Sequence, residues 1–268
     1  RVLVLDAEQR SALAVVRSLG RHGVPLITAD ESPAALAGCS RFSQAYFTTP
    51  SPGQTPEAFI STIARLCREQ NIDIVLPMIE LTVTLLLKHQ TDLPDVTIPL
   101  PDFKTFESLT DKCVLMRQAK SLDIPIPRTW HADGRDTFQA RLEDLPYPLV
   151  LKPGKSWLRV QGKWHRYGVQ FAETPLEAQQ LIDANPAFQA HPFLLQACGP
   201  GQGAGIFALY DHGRPLAFFA HRRLREKPPS GGVSTLSESV SLDPELLSSA
   251  RALLDAVAWH GIAMVEFK

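Results

Sequence analysis

Tyr147-Pro148-Leu149-Val150-Leu151-Lys152-Pro153-Gly154-Lys155-Ser156 is the stretch on which the reading of this chain turns. A short apolar run ends in Lys152, so the stem is sheltered by the strand and the ammonium is presented beside a glycine-containing loop. A point cation in that position suits a phosphate. The plainer alternative is a lysine whose stem lies on apolar surface while its head stays in water.

Three further stretches surround it. Phe193-Leu194-Leu195-Gln196-Ala197-Cys198 reads as a strand, followed by glycines at 199, 201, 203 and 205. A phosphate loop needs a helix after its glycines, whereas residues 206–209 continue as strand. A strand ending in Gln196 can instead hold a flat base against its edge, and an ordinary strand connection is the alternative. His221-Arg222-Arg223-Leu224-Arg225-Glu226 follows. Strand alternation puts Arg223 and Arg225 on one face and Arg222 on the other, so at least one cation faces the interior or a cleft. The alternative is a charged edge strand that discourages aggregation. Last, Met264-Val265-Glu266-Phe267 places Glu266 opposite its two apolar neighbours, as a hard-cation ligand or as a solvated residue.

Working outward, residues 2–5, 25–29 and 73–76 read as strands and residues 11–22 and 57–69 as amphipathic helices. This βαβ alternation predicts a parallel, doubly wound sheet. Its first turn, Asp6-Ala7-Glu8-Gln9-Arg10, has no glycine, so the GxGxxG site of a nicotinamide oxidoreductase is absent. Asp6, Asp30 and Glu80 stand at strand ends as candidate substrate-cleft acids or, equally, as solvated loop acids. The prolines at 94, 99 and 101 precede a capped helix from Asp111-Lys112 to about 122. Ile124-Pro125-Ile126-Pro127 then forces extended chain. A polar loop containing Gly154 and Gly162, a strand at 169–172, a capping box at Thr174, a hairpin across residues 211–214 and a helix from Asp243 to His260 complete the reading.

The composition excludes several classes. With 268 residues, 44% hydrophobic and 21% charged, the chain is globular, with two or three lobes. Its 27 Lys+Arg against 28 Asp+Glu leave a net charge of -1, so no global field gathers nucleic acid or an anionic membrane. The four cysteines never form CxxC, and the eight histidines show no HxH or HExxH spacing, which argues against zinc or disulfide frameworks. A reducing cytoplasm is the expected compartment. No apolar run approaches a membrane span, and no signal peptide precedes Val2. The chain begins and stops inside strands and reads as cut at both ends.

The order of these features resembles the ATP-grasp superfamily: Asp111-Lys112, the proline-rich extension, Lys152, Gln196, the arginine strand out to Gly231-Gly232, then Glu266. The first part resembles the Rossmann-like domain that precedes it in biotin carboxylase, carbamoyl-phosphate synthase and related carboxylate-amine ligases. The resemblance implies a Rossmann-like domain over 1–100, a linker helix and first ATP-grasp subdomain over 101–197, and a truncated second subdomain over 198–268. It implies that Lys112 and Lys152 contact the phosphates of ATP, and that Gln196 and the backbone of Ala197 and Cys198 read the adenine. By the same resemblance Arg222 or Arg223 faces the phosphates or an acyl-phosphate, Glu266 is the first of two acidic Mg2+ ligands, and residues 154–156 belong to a closing flap poorer in glycine than usual.

The implied reaction activates a small-molecule carboxylate as an acyl-phosphate for attack by an amine or other nucleophile, in a soluble enzyme for which a homodimer is allowed. Phosphorylation of bicarbonate or carbamate, and a non-catalytic ATP-binding module, are the alternatives. The family's second Glu and its Asn would lie beyond Lys268, so the 268-residue piece is expected to be inactive alone.

Overall fold

A computed structural model describes residues 1–134, 139–160, 162–227 and 232–268. The chain divides into two compact units, residues 1–99 with 157–166, and residues 100–156 with 167–268. Pro228 to Gly231, at the end of the arginine stretch, lie outside the described residues.

The first unit is built on a parallel sheet of β1 (Val2–Val4), β2 (Leu26–Asp30), β3 (Tyr46–Thr48) and β4 (Ile74–Leu76), in the order β3-β2-β1-β4. Helices α1 (Arg10–Arg21), α2 (Pro56–Glu69) and α3 (Glu80–Lys88) connect or follow the strands. The strand order reverses between β1 and β4, the place where open α/β sheets bind ligands. Here the chain fills that crevice with its own carboxylate. Asp6 leaves β1 in a left-handed conformation (φ 55). Its Oδ2 accepts hydrogen bonds from Met78 N (2.7 Å), Ile79 N (3.0 Å) and Thr82 Oγ1 (2.7 Å). An internal acid thus ties the end of β1 to the two residues that precede α3 and to the Thr82 hydroxyl in its first turn.

The second unit holds two antiparallel sheets. One has the order β5 (Thr129–Ala132), β10 (Phe193–Ala197), β6 (Leu149–Pro153), β9 (Gln170–Ala172). Leu149, Leu151, Phe193 and Leu195 on one face pack with Ile182 of α6 (Pro175–Ala184) and Phe188 of α7 (Pro186–Ala190). Alternation turns Val150, Lys152, Leu194 and Gln196 to the other face. The sheet β13 (Val233–Val240), β12 (Arg214–Lys227), β11 (Ala204–Asp211), β14 (Gly261–Phe267) packs Ile206, Ala220, Val265 and Phe267 against α8 (Pro244–Asp255).

Two expectations are corrected. Residues 157–166 are not a polar loop but a hairpin, β7 (Trp157–Val160) with β8 (Lys163–Arg166), turned by Gly162 (φ 84). The hairpin joins the first unit, where Trp164 N donates to Gly53 O at 3.0 Å. The last helix stops at Asp255, well before His260. Ala258 is left-handed (φ 47), with Ala258 N donating to Asp255 O and Trp259 N to Leu254 O. This is a Schellman closure with alanine where glycine is usual, so no glycine marks the stop. Among the described residues no helix is long and apolar enough to cross a membrane.

Burial outweighs the three donors at Asp6 and pushes its carboxyl up to about 6 from 3.8. The folded state therefore holds a proton that the unfolded chain has released, and stability falls as pH rises from about 4 to about 6. We expect this group to account for roughly 2–3 kcal/mol of that fall. Urea unfolding of wild type and Asp6→Asn across this window checks it: the difference between the two curves should change with pH between about 4 and 6 and be flat above about 7.

Candidate functional site

Helix α5 (Lys112–Ser121) starts where Asp111 accepts hydrogen bonds from Cys113 N and Val114 N. This N-cap is stitched to the end of β6. Lys112 N donates to Gly154 O at 2.7 Å, and Gly154 N donates to Pro192 O at 3.0 Å. A Cβ at 154 would lie 3.2 Å from Cys113 Sγ and 3.3 Å from Asp111 Oδ1, so only glycine gives this close approach freely. The stitch brings Lys112 to the face that carries Lys152. Lys112 Nζ donates to Ser156 Oγ at 3.0 Å, and Lys155 pairs with Glu107 at 2.6 Å.

Lys152 is largely sheltered, and its ammonium is pushed below the ordinary lysine range. Desolvation is the main cause, the positive charge of Lys112 adds to it, Lys268 contributes in the same direction, and Glu266 opposes the shift. Lys152 thus feels the charges of two other lysines and of one acid.

Gln196 shares this sheet face and is 4% exposed. Its Nε2 donates to Thr129 Oγ1 at 2.9 Å and contacts Met116 Sδ of α5 at 3.3 Å. That leaves the side-chain carbonyl as the acceptor of the amide. The backbone amides of Ala197 and Cys198 are used within the protein, donating to Arg128 O (2.9 Å) and Pro148 O (3.2 Å). Beside them, Gly199 faces open space.

The arginine strand separates its cations. Arg222 pairs with Glu238 across the β12–β13 ladder on exposed surface. Arg223 lies on the opposite face, its side chain 15% exposed, with Nη2 2.6 Å from Glu266 Oε1 and Nη1 3.2 Å from Glu226 Oε1. Its Nε is buried without a hydrogen-bond partner. A register shift after Arg223 breaks the alternation expected to run on to Arg225, which is exposed. The structure therefore brings Arg223 and Glu266 together, relates Glu266 electrostatically to Lys152, and leaves Arg222 apart.

The glycines before and within β11 have a role that sequence reasoning missed. A Cβ at Gly203 would fall 2.7 Å from Glu226 Oε1 and 2.8 Å from Arg223 Cδ, and one at Gly205 would fall 2.6 Å from His221 Cε1. Alternate glycines strip one sheet face so that Arg223 and His221 can lie across it. Their spacing of two at a strand start was the available signal.

The first unit holds a separate cavity of about 520 Å³ at the ends of β1 and β2, lined in part by Asp6, Glu8, Asp30, Glu31, Ser32 and Thr49. Asp6 and Asp30 reach it as candidate cleft acids. Glu80 is not among its lining residues.

No family model matches the chain, and no curated protein matches it in sequence. Solved structures match over nearly all of it. The L-amino acid ligase from Bacillus licheniformis superposes with a TM-score of 0.69 at 16% identity, covering 99% of this chain and 62% of that one. N5-carboxyaminoimidazole ribonucleotide synthetase from Thermus thermophilus gives 0.72 at 18% identity, with 100% and 67% covered. The biotin carboxylase domain dimer of the Hydrogenobacter thermophilus 2-oxoglutarate carboxylase, in complex with MgADP, ADP and bicarbonate, gives 0.70 at 13% identity, with 99% and 60% covered. The chain thus has the mixed α/β fold of the ATP-grasp ligases, and spans 60 to 67% of the length of these three.

Gly203→Ala should cost roughly 1–3 kcal/mol by forcing Arg223 and Glu226 aside. In an Arg223→Ala background the cost should shrink, because one of the two obstructing side chains is gone and Glu226 loses the cation that holds it there. Chemical denaturation of the double-mutant cycle reads this coupling.

Proposed function

We propose that the chain is the nucleotide-binding part of an ATP-dependent ligase that activates a carboxylate as an acyl-phosphate for attack by an amine. The observation that carries the reading is Lys152, a desolvated ammonium under the positive charges of Lys112 and Lys268, with Glu266 as the acid that favours its charge. Such an arrangement is unfavourable until a polyanion arrives. A triphosphate supplies that charge, and the orphaned Nε of buried Arg223 is a donor suited to an anionic oxygen.

In this reading Lys112 and Lys152 neutralise the phosphates. The side-chain carbonyl of Gln196 accepts from the exocyclic amine of adenine, and the backbone of Ala197 and Cys198 flanks the base with its carbonyl edge. Glu266, its side chain half exposed, fits Mg2+, which commonly takes one or two carboxylates and completes its shell with water and substrate phosphate. When bound, Mg2+ neutralises charge on the phosphoryl oxygens. Arg223, already on Glu266, is the cation placed to meet an anion beside that carboxylate, and Arg222 serves from outside the cluster. The γ-phosphoryl moves from its bridging oxygen to a carboxylate oxygen, releasing ADP. The amine nitrogen then attacks the acyl carbon and loses a proton as inorganic phosphate leaves. The protein's part is positioning and charge compensation.

The acidic cavity of the first unit suits the amine substrate, because its carboxylates attract an ammonium and repel the acid partner. A homodimer accompanies the reading, since a carboxylase domain of this fold was solved as a dimer.

Titration of ATP into the full-length protein, with and without Mg2+, tests the proposal. Lys152→Ala should weaken binding by more than about tenfold, roughly 1.4 kcal/mol or more. Arg222→Ala should change it little. Failure of the wild type to bind ATP would sink the reading.

A further inference from the structure

The geometry points to a transition-metal site formed by Asp211, His212 and His260, unconnected with the magnesium assigned to Glu266. Among the described residues these three form a cluster whose candidate ligand atoms all lie within 4.8 Å of one another. Asp211 Oδ1 is 2.7 Å from His212 Nδ1 and 3.7 Å from His260 Nδ1. Ligand atoms about 2.1 Å from a tetrahedral ion stand about 3.4 Å apart. The two separations bracket that value; because an ion must lie in the plane of each imidazole, the exposed His212 ring turns out of the stack with His260 for all three to meet one ion. Both imidazoles turn Nδ1 toward the same carboxylate oxygen, their rings stacked with centroids 4.0 Å apart.

The two segments that carry these residues are fixed by the backbone. His212 (φ 46) and Gly213 (φ 82) form the two-residue turn between β11 and β12, both in the left-handed region as a type I′ turn requires. Gly213 N donates to Trp259 O at 2.7 Å, and Ala258 closes α8 in its own left-handed conformation, which delivers His260 to the start of β14. The Tyr210↔Gly261 pairing sets Asp211 beside His260. The backbone is therefore already in place, and binding has only side chains to order. His260 Nδ1 already accepts from His212 N at 3.3 Å, so it carries the lone pair a metal needs.

Two imidazole nitrogens and one carboxylate oxygen select Zn2+, Co2+, Ni2+ or Cu2+ over Mg2+ and Ca2+, which prefer all-oxygen sites. Solvent supplies the remaining positions, since Asp211 and His212 are exposed and His260 is part-buried. An ion there would clamp the β11–β12 turn to the entry of β14, the strand bearing Glu266. The long sequence separation of His212 and His260 conceals the pair; β-pairing makes them neighbours.

Cobalt(II) titration of the full-length protein, without nucleotide, followed by visible absorption tests the site. We expect one saturable equivalent, displaced by Zn2+ and not by millimolar Mg2+, with a Zn2+-dependent rise in Tm. His212→Asn keeps a residue that tolerates the left-handed turn, and with His260→Ala it provides two independent probes. Each should weaken binding by roughly tenfold or more. Absence of a saturable equivalent in the wild type, or unchanged binding in the folded double variant, would overturn the assignment.

Discussion

Lys152 is an ammonium taken out of water and set among other cations. Its sheet position is dictated by alternation: Leu149 and Leu151 must face the core with Phe193 and Leu195, so Lys152 must face the other way. The helix that covers part of that face begins with Lys112, because α5 is pinned through Gly154 to the end of the same strand. The stitch fixes the backbone of both lysines, so their mutual repulsion follows from the fold. Desolvation and like charge both ease the loss of the proton, and both are reversed by a bound anion. The arrangement makes sense as a site whose stability is completed by its ligand.

Each sheet of the second unit follows the same plan. One face buries apolar side chains under helices, and the other carries few charges with defined partners. On the β11–β14 sheet the plan needs Gly203 and Gly205, without which Arg223 and His221 could not lie flat. Arg223 holds Glu266 at 2.6 Å, so the acid is compensated in the free protein and its charge remains available to a cation. In the first unit the counterpart is Asp6, whose carboxyl accepts from the amides of Met78 and Ile79 just before α3.

Much of this was legible in the residues. The βαβ alternation, the Asp111 cap and the strands ending in Lys152, Gln196 and near Glu266 all follow from period and turn chemistry. What escaped has physical reasons. Helix α3 is apolar nearly all round, with Leu81, Val83, Leu85, Leu86 and Leu87 buried, so no amphipathic period marks it. Strand β13, Ser- and Thr-rich at the sheet edge, lacks the apolar alternation of a half-buried strand. The end of α8 is hidden because alanine adopts the left-handed turn. At the site, alternation correctly separated Arg222 from Arg223 but could not foresee the register shift that leaves Arg225 in solvent. Nor does any local pattern reveal that the amides of Ala197 and Cys198 are engaged by Arg128 and Pro148.

The central claim is that Lys152 is a desolvated ammonium, its proton held less tightly than usual, and that a bound polyphosphate restores that hold. Calorimetry of ATP binding at a pH of about 9, in buffers of different ionisation enthalpy, measures the proton exchanged. Because the free group sits below the usual lysine value of about 10.4, binding should take up protons, and the uptake should vanish in Lys152→Arg, whose guanidinium stays charged. Binding with no proton uptake by the wild type, or equal uptake by Lys152→Arg, would contradict the account.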